Sequence, residues 1–134
     1  MIKDIPVKDV EDVAIAILPQ LLDAEAPDWE VYLINLKSDP IANVFISSKG
    51  YGELEGTQTD TSTLRHFFKE VAATSYQKVE IIQTKVFSLH NEFMLSFSFE
   101  GHMFDKKYTF EGGSIHEDNF IDVPLLNRQG VMIQ

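Results

Sequence analysis

Phe93-Met-Leu-Ser-Phe-Ser-Phe-Glu-Gly-His-Met-Phe-Asp-Lys-Lys-Tyr-Thr-Phe110 decides the fold class. Apolar and polar residues alternate through most of it, the period of a strand whose successive side chains point to opposite faces. Gly101-His102 near the middle supplies a tight turn, with Gly at the position that requires a positive φ. Folding the segment there pairs Glu100 with Met103, Phe99 with Phe104, Ser98 with Asp105, Phe97 with Lys106 and Phe93 with Phe110. Phe93, Leu95, Phe97, Phe99, Phe104, Tyr108 and Phe110 then share one face, interrupted only by Lys106. Ser96, Ser98, Asp105, Lys107 and Thr109 share the other, which suits water. A one-residue slip would scatter the aromatic set over both faces. Five of the ten Phe residues lie in this hairpin, which places it at the centre of the core.

Further strands follow the same logic. Trp29 to Leu36 and Ile41 to Ser47 are rich in β-branched and aromatic residues and flank Lys37-Ser-Asp-Pro40, a set of turn formers, so they read as a second hairpin. Gln77 to Ile82 and Lys85 to Leu89 add one or two strands. Val123 to Ile133 is too apolar for a loose tail and reads as an edge strand that tolerates Pro124. Val10 to Leu22 fits both periods, but Pro19 forbids a regular helix through to Leu22, so a strand is expected. Leu64, Phe67, Phe68 and Val71 form a helical stripe, while Leu64, His66 and Phe68 equally share a strand face. A strand through about His66 followed by a turn, helical or not, is the expectation for residues 62–73. Ser48 to Thr59 reads as a long loop. The chain is therefore expected to be mostly β: one domain over residues 1–134, a two-layer antiparallel sandwich of seven or eight strands, immunoglobulin-like in size and spacing without the Cys-Trp-Cys signature.

At 134 residues with no Cys, the chain is long enough to bury a core without disulfides, and it has no thiolate metal or nucleophile chemistry. The run Val13 to Leu18 follows Asp9, Glu11 and Asp12 and stops at Pro19, so neither a signal peptide nor a spanning helix is expected, and a cytoplasmic location is. A formal net charge of -10 repels phosphate backbones and anionic bilayers, and Lys106-Lys107 is the densest basic run, which argues against nucleic acid and membrane as partners.

Motifs that carry chemistry are sparse. His66, His90, His102 and His116 form no His-x-His or His-x-x-x-His pair, so no metal site is read. His102 falls in the turn, and His90 and His116 in polar stretches. His66, beside Arg65 and on a face with Leu64, reads first as a half-buried imidazole satisfied by its neighbours. No serine occupies a Gly-x-Ser-x-Gly elbow, so no catalytic residue is assigned. Gly50-Tyr51-Gly52 with Gly56 has its third Gly one place late for a dinucleotide loop, and no cofactor is implied. Asp23, Glu25, Asp28 and Glu30 lack the spacing of a calcium loop and read as a solvated connection.

Trp29-Glu-Val-Tyr-Leu-Ile-Asn35, Ser48-Lys-Gly-Tyr51, Thr61-Ser-Thr-Leu-Arg-His66, Lys78-Val-Glu80 and Asn91-Glu-Phe93 resemble a family of short, uncharacterised bacterial proteins over nearly the whole chain. Some of its members carry the label phenylalanyl-tRNA synthetase subunit. A class II synthetase core clamps ATP with motif arginines, and this chain has two arginines, Arg65 and Arg128. The resemblance implies no catalytic residues; where its motifs include polar side chains they offer Arg65, His66 and Tyr51 as binding candidates. The expected function is a non-enzymatic β-sandwich that binds another protein or itself, as a homodimer. The alternative is a small-ligand binder or enzyme using Ser48 to His66.

Overall fold

The computed structural model describes residues 10–20 and 28–134. Among the described residues the chain forms β1 (Val13–Pro19), β2 (Asp28–Asn35), β3 (Ile41–Leu54), β4 (Thr57–Asp60), β5 (Leu64–Val71), β6 (Ser75–Gln83), β7 (His90–Phe99), β8 (His102–Phe110), β9 (Ile121–Val123) and β10 (Arg128–Ile133). They make two five-stranded antiparallel sheets. The first runs β6-β2-β1-β10-β9. The second runs β4-β3-β7-β8, with β5 also on β3, because the long β3 pairs with β5 along Ile41–Ser48 and with β4 along Tyr51–Leu54.

The aromatic hairpin forms with the expected faces and a different register. Phe97 lies opposite Phe104, Phe93 opposite Tyr108 and Phe99 opposite His102, so the turn centres on Glu100-Gly101 rather than Gly101-His102. Both residues have positive φ, +51° and +78°, the geometry of a type I′ turn, whose twist matches that of the flanking strands. The expected pairing is off by two residues. That shift leaves every side chain on its face, so Phe93, Leu95, Phe97, Phe104, Tyr108 and Phe110 are all buried.

Their partners across the sandwich are Val13, Ile15 and Ile17 of β1 and Val31 and Leu33 of β2, joined in one cluster with Ile41, Val44 and Ile46 of β3. Each such side chain contributes roughly 1.5 to 3 kcal/mol when buried. Tyr108 adds a polar tie, donating its hydroxyl to the Val13 carbonyl of the opposite sheet at 2.6 Å, and burial pushes its phenol far above the usual range. The first sheet is closed on its outer face as well, over Ala14, Ala16, Leu18 and Ile34. Burial on both faces explains the unbroken apolar run of β1, which hid its strand period.

Several expectations change. β2 and β3 are not a hairpin: β2 pairs with β1 and β6, and residues 36–40 carry the chain from one sheet to the other. Asn35 holds that crossing, with Nδ2 donating to the carbonyls of Asp39 and Ala72 at 3.0 Å and Oδ1 accepting from the Lys37 amide. Residues 64–71 are strand throughout, since pairing with β3 overrides the helical stripe. Most of Ser48 to Thr59 is not loop but strand, the end of β3 turning at Glu55-Gly56 into β4. Lys85 to Leu89 is not a strand: a 3-10 turn, Thr84–Val86, leads into it and turns follow. The C-terminal stretch is a hairpin, β9 at the sheet edge and β10 inside against β1; Pro124 sits in its turn. Residues 21 and 22 and the acids Asp23 and Glu25 lie outside the described residues.

Candidate functional site

Lys78-Val79-Glu80-Ile81-Ile82 in β6 would, by strict alternation, put Val79 and Ile81 in the core and Glu80 in water. The strand does otherwise. Lys78 pairs with Tyr32 while Glu80 pairs with Val31, leaving Val79 as an extra residue in a bulge. A bulge re-aims the side chains that follow it. Val79 stays buried, Ile81 turns outward to 48% exposure, and the Glu80 carboxylate enters the space between the sheets with its side chain only 9% exposed.

Two side chains of the second sheet meet it there. Ser48 Oγ on β3 donates to the Glu80 carboxylate, lying 2.8 and 3.0 Å from its two oxygens. His66 Nε2 on β5 lies 2.7 Å from Oε1; against a carboxylate acceptor, Nε2 is the nitrogen that carries hydrogen. Ser48 and His66 lie opposite neighbouring positions of the β3–β5 ladder, Ile46 pairing with His66 and Ser48 with Leu64, so both project inward toward β6. The trio lies between the sheets at the side where β5 faces β6.

Beside the trio opens a cleft of about 430 Å³. Ser48, Gly50, Glu80 and Asn91 give it a polar floor, Leu64, Ile82, Val86 and Phe93 give it apolar walls, and Lys49 and Lys85 also line it. Asn91 is buried, with Nδ2 donating to the carbonyls of Val86 and Leu89 at 3.0 and 3.1 Å. Its Oδ1 accepts no hydrogen bond among the described residues. The Gly50 amide is taken by Thr61 Oγ1 at 2.8 Å.

The order of the trio decides its chemistry. In a serine hydrolase the imidazole stands between hydroxyl and carboxylate, so that it can take the hydroxyl proton. Here the carboxylate stands between the other two, and His66 makes no hydrogen bond to Ser48. With the Gly50 amide also occupied, the floor presents acceptors rather than an oxyanion hole. A carboxylate has about four acceptor positions, and a serine hydroxyl fills one of them at a time. Glu80 therefore keeps acceptor capacity, and no Lys or Arg lies within ion-pair distance of it among the described residues.

Of the three binding candidates read from the sequence, only His66 belongs to this arrangement. Arg65 precedes it on the strand and so projects from the opposite, outer face of the second sheet. Tyr51 lies away from the cleft, its ring 5.3 Å from that of His90 and 5.8 Å from Lys49 Nζ. The sequence reading missed Glu80 and Asn91. The other histidines act locally: His90 Nδ1 accepts from the Gly112 amide, and His116 Nδ1 caps the turn at Asp118. Among the described residues, no three His, Asp or Glu side chains gather as a metal site, and no helix is long and apolar enough to cross a membrane. No family model and no curated protein matches this chain.

Proposed function

We propose that the protein is a non-enzymatic binding domain whose cleft between β5 and β6 takes a small primary amine with a compact apolar body. The observation that carries this reading is a carboxylate, Glu80, nine-tenths buried and facing a cleft, with no lysine or arginine within ion-pair distance of it among the described residues. A buried charge is costly unless something pairs it, and an ammonium group would pair with Glu80 while donating to Asn91 Oδ1. The apolar walls would hold the remainder, and the negative net charge would favour the approach of a cation. Neither the resemblance to proteins labelled synthetase subunits nor the chain's two arginines supports aminoacylation. A cytoplasmic setting, and an immunoglobulin-like relationship for the two antiparallel layers, belong to the same proposal.

Calorimetric titration with three molecules of one shape tests it: 2-phenylethylamine, 2-phenylethanol and 3-phenylpropanoate. The amine should bind saturably, the alcohol weakly and the acid not at all, and Glu80→Gln should abolish amine binding while the fold persists by circular dichroism. Equal binding of all three, or amine binding unaffected by Glu80→Gln, would defeat the reading.

A further inference from the structure

The two outer faces of the sandwich are not alike. On the first sheet Ala14, Ala16, Leu18 and Ile34 have no exposure, and the exposed Tyr76 and Ile81 sit on its edge strand β6. On the second, Phe45 and Phe67 are each 52% exposed and Met94 is 40% exposed. The register explains the clustering. Phe45 lies opposite Phe67, and the neighbouring row runs from Arg65 through Ser47 and Met94 to Lys107. The two phenyl rings are 4.7 Å apart and tilted by 49°, and a shallow groove of about 250 Å³ runs past them to Asp105.

Exposed aromatic pairs of this kind are hydrated at a cost, and aromatic residues, Met and Arg are the types that concentrate in protein interfaces. Arg65 makes no hydrogen bond or ion pair among the described residues. Among the described residues Lys107 reaches only Glu92, at 3.7 Å from an exposed position, a contact too weak and screened to hold it. On a chain of net charge -10, these cations beside the aromatic pair are a local reversal of sign.

We infer that this face docks an acidic segment of another protein bearing an aromatic or aliphatic anchor. The anchor covers Phe45, Phe67 and Met94, and a carboxylate of the same segment engages the Arg65 guanidinium with two parallel hydrogen bonds. Asp105 at the far end of the groove turns carboxylates away from β8 and toward Arg65, which sets the direction of the segment. Charge selects this occupant over a second copy of the chain, since two molecules at -10 repel one another. The inference does not depend on the cleft, which opens on the other side of the second sheet.

Selection of a randomised twelve-residue peptide library against the intact protein tests it, followed by fluorescence titration of the enriched peptides. Enriched sequences should be acidic with an aromatic or aliphatic anchor. Their binding should weaken at least about tenfold on Arg65→Glu and on the double change Phe45→Ser with Phe67→Ser. Phe45 and Phe67 are half exposed and Arg65 is exposed, so both variants should keep the wild-type circular dichroism spectrum. Glu80→Gln, which tests the cleft, should leave peptide binding unchanged. No enrichment, enrichment of basic peptides, or binding indifferent to the face variants would overturn the inference. So would a sedimentation result in which the protein is a dimer that the double change dissociates, because the face would then belong to a second copy.

Discussion

Glu30 and Glu80 are both carboxylates on strands of the first sheet, both are largely buried, and their surroundings differ in kind. Glu30 points to the outer face and is met by Lys78 at 3.0 Å, Arg128 at 2.9 Å and the Tyr32 hydroxyl at 3.1 Å. Arg128 also donates to the Pro19 carbonyl at 2.7 Å, so one guanidinium joins β10, the end of β1 and β2. Burial pushes the Glu30 carboxyl up, but the hydrogen bonds from Lys78, Arg128 and Tyr32 outweigh it and hold the group below its ordinary value. Glu80 has a hydroxyl and an imidazole in place of two permanent cations, and a cleft in place of a closed surface. The first carboxylate is finished by the protein and acts as a brace. The second is left for something else to finish.

That contrast breaks most easily at Arg128. Replacing it with Leu leaves Glu30 with one cation and the Pro19 carbonyl without its donor, and should cost about 2 to 3 kcal/mol in urea denaturation. A loss under about 0.5 kcal/mol would mean the outer network braces nothing. Glu30→Gln should cost less, about 1 kcal/mol at neutral pH, and its signature is the pH dependence. A carboxyl whose folded value is depressed gives its stability in full above the unfolded value, about 4.3, and loses it as pH falls through the folded one. Melting curves of wild type and Glu30→Gln should therefore differ at pH 6 and converge toward pH 3. Curves that stay parallel through that window would show that the charge of Glu30 contributes nothing.

Glu80→Gln should have the smallest effect, within about 1 kcal/mol of wild type and on the stabilising side, because it removes a buried charge that no permanent cation balances. A loss above about 2 kcal/mol would make Glu80 a second brace. His66→Gln separates these cases further. If Glu80 were a brace held by His66, their coupling in a double-mutant cycle would exceed about 2 kcal/mol; with a ligand-oriented Glu80, the hydrogen bond between them should couple them by only about 0.5 to 1 kcal/mol without ligand.

The same contrast marks what the sequence could tell. The β7–β8 hairpin showed its faces because seven apolar side chains agree on one of them. Its register was two residues off because such a shift preserves that agreement, and only the backbone of Glu100, in a conformation glycine usually takes, distinguishes the two. β3 was legible to Ser47 and then hidden, since Gly50, Gly52 and Gly56 look like loop while the strand continues to Leu54. Glu80 was hidden by the bulge at Val79. The one trace it left is the adjacent pair Ile81-Ile82, which alternation cannot bury together on one face, although their Trp29 and Glu30 partners emerge only with the fold. Arg65 and His66 were read as a pair because they adjoin in sequence, and neighbours on a strand face opposite ways.

The most direct test follows the carboxyl carbons of Glu80 and Glu30 by nuclear magnetic resonance while 2-phenylethylamine is added at constant pH. The account predicts a saturable shift at Glu80, with a parallel change at the His66 imidazole, and none at Glu30. No shift at Glu80, or an equal shift at both carboxylates, would contradict it.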